Sequence, residues 1–148
     1  LDLVVNILTN HGITNGQIKV FGGEQMRPNI HIDDVTDLYV KSLSWADEAI
    51  DGNIFNAGYD NKTVMGIAES VRQELPGKVD IITVPTDDHR SYQISSAKSE
   101  RDLGFAARWS VEDGVRDLVK AFGQGKLLDS MNNIGYYNIK MMQQARLK

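Results

Sequence analysis

Ile18-Lys-Val-Phe-Gly-Gly-Glu-Gln-Met-Arg-Pro-Asn-Ile-His-Ile-Asp-Asp-Val35 changes its structural signal twice in one short run. Ile18–Phe21 is β-branched and aromatic and is bounded by Gly22-Gly23, which predicts a short strand. Arg27 precedes Pro28, whose ring disfavours the α region for the residue before it. Arg27 is therefore expected in extended backbone, projecting from a loop. Asp33 or Asp34 can then cap a helix whose face is Val35, Leu38, Tyr39, Ser42, Leu43 and Ala46 at the 3.6-residue period. A strand, an arginine-bearing loop and an amphipathic helix in that order predict an α/β fold.

The flanking sequence carries the same alternation. Residues 2–10 read as a short apolar helix ending near His11-Gly12. Asp51-Gly52 is a turn and Ile54–Gly58 a second strand. Thr63 caps a helix striped by Val64, Ile67, Ala68, Val71 and Leu75 and ended by Pro76-Gly77. Asp80–Pro85 is a third strand, stopped by its own proline. Ser96–Leu103 forms a small helix with Gly104 as C-cap. Ser110 with Asp113 resembles a capping box, and Val111, Val115, Leu118, Val119 and Phe122 give the last amphipathic face. Residues 1–125 form the organised portion, and 126–148, without a clean period, are expected to be a tail or a docking helix.

Composition narrows the function classes. Sixteen Lys and Arg against 20 Asp and Glu give a net charge of −4, so no global basic field invites nucleic acid. Any anion site must be local, built from a few placed arginines. The absence of cysteine excludes a disulfide scaffold, a thiolate zinc site and a cysteine nucleophile. No apolar run approaches the roughly 18–20 residues of a membrane span, and Leu1-Asp2 does not open a signal-like segment. These features together predict a cytoplasmic protein. The chain opens on Leu rather than Met, which fits a piece of something longer.

The residues suited to chemistry are two arginines from separate loops. A guanidinium held beside Pro28 can meet a phosphate through two parallel hydrogen bonds, a geometry lysine does not match. Arg90 lies in a second polar loop after the strand ending at Pro85, and the two could close on one diphosphate. The plainer reading of Arg90 is an ion pair with Asp87 or Asp88 beside it. His31 with Asp33 and Asp34, and His89 with Asp87 and Asp88, lack the spacing of zinc or iron sites, because consecutive residues point apart. His31 instead suits packing or hydrogen bonding at the loop–helix junction, and Asp34 a cap. Ser91, Ser95 and Ser96 sit in no Gly-x-Ser-x-Gly elbow. Tyr92 suits either stacking near a sugar or core packing.

Order and spacing of several pieces resemble the extended short-chain dehydrogenase/reductase family, the NAD-dependent epimerases and dehydratases of nucleotide sugars. Arg27-Pro-Asn-Ile-His-Ile-Asp-Asp-Val35 resembles the family's Arg-x-x-(Ile/Val)-His-Val-x-Asp-Val, whose arginine contacts the substrate diphosphate. Ile18–Gly22 resembles the preceding strand, with residues Lys19 and Phe21 against the nucleotide base. Asp2-Leu3 falls where the family's chain brushes the nucleotide, and Asn29 where some members place a tyrosine near the sugar. Phe55-Asn-Ala-Gly58 resembles the strand that follows. Asp88–Lys98 with Leu103-Gly-Phe105 resembles the Arg-Ser-Tyr…Lys…Leu-Gly-(Phe/Trp) block that carries the second diphosphate arginine. Trp109–Gly114 matches the start of the last helix. Some epimerases place the second arginine where this chain has Pro85, thirteen residues before Lys98, whereas Arg90 is eight before it. That departure leaves the sugar open and keeps the class.

The resemblance covers about residues 1–122 and implies the C-terminal, substrate-binding part of a Rossmann-like enzyme. It implies short strands with amphipathic helices and no N-terminal dinucleotide-binding half. Its substrate-binding residues would be Asp2, Leu3, Lys19, Phe21, Arg27, Asn29, Arg90 and Tyr92, with no catalytic, cofactor-binding or metal residue in the chain. NAD or NADP would be held by the missing Rossmann half, and the full enzyme is expected to be a homodimer acting on a nucleotide-diphosphate sugar. Neither nucleic acid nor a membrane is an expected partner. Gly-x-x-Gly-x-x-Gly is nowhere in the sequence. Tyr136-Tyr-Asn-Ile-Lys140 matches Tyr-x-x-x-Lys literally but lies after the family's final helix, so it is read as a decoy. The alternative is a non-catalytic nucleotide-sugar-binding or protein-interaction module.

Overall fold

The computed structural model describes residues 1–146. Three helices pack around a two-stranded parallel sheet: α1 (Val4–Asn15), α4 (Val64–Glu74) and α6 (Val111–Gly123) against β1 (Gln17–Phe21) and β4 (Asp80–Val84). β1 and β4 run in register from Gln17 opposite Asp80 to Phe21 opposite Val84. Strand alternation turns Ile18 and Val20 into the core, and Lys19 and Phe21 outward. The core is Leu8, Ile18, Val20, Ile67, Ala68, Val71, Leu75, Val79, Val111 and Val115. Each fully buried Ile or Val here is worth about 1.5–3 kcal/mol over leaving it exposed. The α4 and α6 stripes read from the 3.6 period are therefore the faces that hold the fold together.

Local sequence starts and stops most of these helices where expected. Thr63 Oγ1 accepts the Gly66 amide at 2.9 Å and opens α4. Ser110 and Asp113 form a full capping box at the start of α6. Gly104, at φ 64°, closes α5 (Ala97–Leu103) in the left-handed region that glycine adopts without strain.

Five expectations are corrected. Helix α1 runs on through His11-Gly12 and ends at Gly16. Gly12 lies inside the helix where a side chain has no room, since a Cβ there would run into Leu75 Cδ1, just past the end of α4. Residues 54–58 form no strand. Their carbonyls are taken by α5 and its approach instead: Lys98 Nζ donates to Ile54 O, Ser99 Oγ to Asn56 O and Ser96 Oγ to Gly58 O. The strand in this region is β3 (Asp60–Thr63), which pairs antiparallel with β2 (Met26–Asn29). Arg27 thus lies on a strand rather than in a loop, and its extended backbone is held by pairing as well as by Pro28.

The remaining corrections concern α2 (Ile32–Ser42). His31, not Asp33 or Asp34, caps it, with Nδ1 accepting the Asp33 amide. Asp34 is fully buried and accepts the backbone amides of Arg108 (3.1 and 3.0 Å) and Trp109 (2.9 Å), tying α2 to the approach of α6. The apolar face expected on this helix is only partly covered: Val35 and Leu38 are half-buried, while Tyr39 is 70 % and Leu43 89 % exposed. A short helix α3 (Asp47–Ile50) follows.

Beyond α6 the chain folds back onto α1. A 3-10 turn at Ile134–Tyr136 leads into α7 (Asn138–Gln144). Buried Asn10 anchors this return, accepting from Ser130 Oγ at 2.6 Å and donating to Tyr137 Oη. The N-terminal ammonium donates to Tyr136 O, and Asp2 accepts the Asn138 amide. Among the described residues no helix is long and apolar enough to cross a membrane.

Candidate functional site

The antiparallel β2–β3 pair presents Arg27, and the segment after β4 lies alongside it. Asn61 on β3 builds that alignment, because its amide pairs both ways with the Ile94 backbone: Nδ2 to Ile94 O at 2.9 Å, and Ile94 N to Oδ1 at 3.0 Å. Further along, the Tyr92 amide donates to Met26 O, and the Met26 amide to Ser91 Oγ. Buried Gln25 supplies the third fastening. Its Oε1 accepts the Gly23 amide, while its Nε2 donates to Phe21 O and to Asp88 O at 2.8 Å. The turn holding it needs glycine: Gly22 sits at φ 77°, and a Cβ there would meet the Gln25 amide at 2.6 Å.

These fastenings bring the two arginines to one carboxylate. Arg90 grips Asp88 bidentately, Nε to Oδ1 and Nη2 to Oδ2, both at 2.8 Å. Arg27 Nη2 stands 3.7 Å from the same Oδ2. Arg27 Nη1 donates to Arg90 O at 2.6 Å and to Met26 O at 2.9 Å, and its guanidinium lies 5.3 Å from the Tyr92 ring centre. Hydrogen bonds from the Arg90 side chain and backbone hold the Asp88 carboxyl well below the usual carboxylate range. Asp88 is therefore an anion at every ordinary pH. The two arginines differ in setting: the Arg27 side chain is 18 % exposed, that of Arg90 82 %. A largely covered guanidinium fixed by two backbone carbonyls thus stands beside an exposed one, both facing a single carboxylate.

The eight residues singled out from sequence fall into three groups. Arg27, Arg90 and Tyr92 share this cluster. Phe21 is joined to it through Gln25, with its ring on the outer face of β1 alongside Lys19, and Asn29 lies two residues along β2, its Nδ2 donating to Arg27 O. Lys19 makes no described contact with the arginines, and neither do Asp2 and Leu3. Asp2 is engaged with α7, and Leu3 is the N-cap of α1. Sequence reading missed Gln25, whose only signal was a lone amide after a Gly-Gly turn, and it saw Asp88 only as a neighbour for Arg90.

Surrounding groups serve structure. His31 is buried against Trp109, with ring centres 5.8 Å apart, and its Nε2 faces Asp117 at 3.5 Å. Lys62 on β3 is clamped by Glu112 (2.6 Å) and Ser70 (3.0 Å), locking the β2–β3 pair to α4 and α6. Burial opposes the Glu112 charge, but hydrogen bonds from Lys62 and Ser70 outweigh it and bring its pKa to about 2. Burial pushes Asp60 the other way, up from its ordinary value, although Lys62 lies 3.8 Å away. Lys140 stands over the Tyr137 ring rather than beside Tyr136. No cluster of metal-ligating side chains occurs among the described residues.

A cavity of about 280 Å³ opens by the start of β3, lined by Asp60, Asn61, Ile94, Ser96 and Glu100 among others. None of the eight candidate residues lines it. β1 runs through Gly22-Gly23 into β2, and β4 through Pro85 into the arginine loop, so neither strand leads through a glycine-rich turn directly into a helix.

No family model and no curated protein matches the sequence. Solved structures do match in fold. The chain is similar to the ADP-L-glycero-D-manno-heptose-6-epimerase of Helicobacter pylori at 21 % identity and TM-score 0.67, over 80 % of this chain and 37 % of that one. It is similar to the UDP-glucose 4-epimerase of Thermotoga maritima, solved with UDP-glucose, at 22 % and 0.66, over 84 % and 40 %. It is also similar to the UDP-glucuronic acid 4-epimerase of Bacillus cereus, solved with UDP-glucuronic acid and NAD, at 18 % and 0.69, over 82 % and 40 %. The architecture is α/β and matches the C-terminal portion of such epimerases. The chain spans about two fifths of the length of each.

Proposed function

We propose that this chain is the nucleotide-sugar-binding part of an NAD(P)-dependent epimerase, dehydratase or reductase, with the diphosphate held between Arg27 and Arg90. The observation that carries the reading is the convergence of both guanidiniums on one anion position at the edge of the β2–β3 pair. Tyr92 and Asn29 stand beside that position on the sugar side, and Phe21 with Lys19 on the base side. Asp2 and Leu3 join the nucleotide wall in this reading, although Asp2 is engaged with α7 in the isolated chain. The likeness in fold to epimerases solved with UDP-sugars supports the ligand class.

Hydride transfer requires a nicotinamide and a proton-handling pair, which this reading assigns to residues outside the 148. In this reading a separate dinucleotide-binding half supplies NAD or NADP, and the complete enzyme is a cytoplasmic homodimer. The 148 residues hold and orient the substrate, which converts binding energy into alignment for chemistry performed elsewhere. By themselves they turn nothing over.

Calorimetric titration with UDP-, dTDP-, ADP- and GDP-sugars tests the proposal. At least one should bind, and Arg27→Ala or Arg90→Ala should each weaken it by roughly ten- to a hundred-fold. Binding indifferent to both arginines, or turnover by the chain alone, would overturn it. The exposed face of α2, with Ile32, Tyr39, Val40 and Leu43 outward, favours a second reading as a non-catalytic interaction module. Under that reading no nucleotide sugar binds at all.

A further inference from the structure

We propose that Asp88 is the resident anion of the Arg27–Arg90 clamp, occupying the seat a diphosphate takes and selecting polyanions over singly charged ligands. The inference rests on the diphosphate reading above and adds the residue that sets its affinity and selectivity.

The geometry separates the anchored part of Asp88 from the displaceable part. Its backbone is fixed at both ends: the carbonyl accepts from Gln25 Nε2 at 2.8 Å, and the amide donates to Thr86 Oγ1 at 3.1 Å. Its carboxylate, in contrast, is held by the Arg90 amide (3.1 Å), the Arg90 guanidinium and the more distant Arg27. Rotation about one side-chain bond therefore frees the seat without moving the loop. Arg90, with no other side-chain partner among the described contacts, is then left free for the incoming ligand.

The charges give the device its selectivity. A carboxylate already offers Arg90 the two parallel bonds that a single phosphate would offer, so a monoanion gains little by replacing it. A diphosphate can present separate oxygens to Arg90 and to Arg27 Nη2, which Asp88 reaches only at 3.7 Å. The bridging ligand gains at the second jaw what a monoanion does not. It still meets the displaced carboxylate as a nearby like charge, which at a wet surface costs a factor of about five in affinity.

A merely positioning role for Asp88, holding Arg90 ready for the ligand, predicts the opposite sign, and that makes the experiment decisive. Inorganic pyrophosphate and inorganic phosphate are titrated calorimetrically into the intact chain at fixed low salt. The variants are Asp88→Asn, Asp88→Ser, Arg90→Ala and Arg27→Ala, each checked by its thermal midpoint. The expected result is pyrophosphate binding tightened about five-fold in Asp88→Asn, with a narrower preference over phosphate, and lost in the arginine variants. Asp88→Ser keeps a short acceptor for the Arg90 amide and should give the same sign if the Asn variant misfolds. Equal or weaker binding in the Asp88 variants, with arginine dependence intact, overturns the inference and leaves the diphosphate reading standing. Pyrophosphate binding that ignores the arginines, or no binding by any form, overturns both.

Discussion

Removing the Asp34 carboxylate should cost this fold more than its single position suggests. Asp34 is fully buried, and two backbone donors, the amides of Arg108 and Trp109, rely on it. Asp34→Ala strands both. A buried donor left without an acceptor costs about 1–3 kcal/mol, and exposure of the neighbouring Arg108 side chain lets water recover part of that. The expected loss is therefore about 3 kcal/mol. With a urea m-value of about 2 kcal/mol/M, the midpoint should fall by about 1.5 M. Tryptophan fluorescence, from Trp109 inside the affected segment and from Trp45, follows the transition. Asp34→Asn keeps one acceptor oxygen and should lose about half as much. A midpoint for Asp34→Ala within about 0.3 M of the parent would refute the argument that this carboxylate anchors the approach to α6. So would Asp34→Asn being as damaging as Asp34→Ala, because the charge and not the acceptor count would then be at stake.

Glu112 gives the fold an acid limb. Its pKa of about 2 lies below the ordinary 4.5, so its stabilisation is complete above pH 4.5 and is lost as pH falls toward 2. Glu112→Gln should lower stability at neutral pH and flatten that limb in a pH series of urea midpoints; parallel curves for the two proteins would contradict the assignment. Gly12→Ala raises helix propensity yet forces a methyl onto Leu75 Cδ1, so it should destabilise by about 1–3 kcal/mol, and a higher thermal midpoint would show that α1 and α4 can separate freely.

How much of this was legible depended on where each element's stability comes from. α4 and α6 announce themselves because caps and a 3.6-residue apolar stripe both point to one face. β1 and β4 are readable as β-branched runs between glycine and proline. The β2–β3 pair is not, since Asp60–Thr63 is wholly polar and Met26–Asn29 contains Pro28. It is held by pairing and by Lys62 reaching Glu112, contacts that no local pattern encodes. The reverse failure occurs at Ile54–Gly58, an apolar run whose carbonyls are claimed by Ser96, Lys98 and Ser99 before any strand can claim them. At the site, residue type alone nominated the arginines. Gln25, which joins Phe21 to Asp88, left no sequence signal because a buried amide becomes informative only once its partners are known.

The parallel pairing of β1 with β4 sets a timetable for synthesis. Ile18 and Val20 leave the ribosome more than sixty residues ahead of their partners at 81 and 83. At a translation rate of 5–20 residues per second, the edge of β1 that β4 covers waits roughly 3 to 13 s. Of the helices around this core, α1 is made before β1 and α4 before β4, while the two core residues of α6 arrive after both strands. For that interval β1 lacks its parallel partner, and the edge β4 will cover is open to a chaperone or a neighbouring polysome.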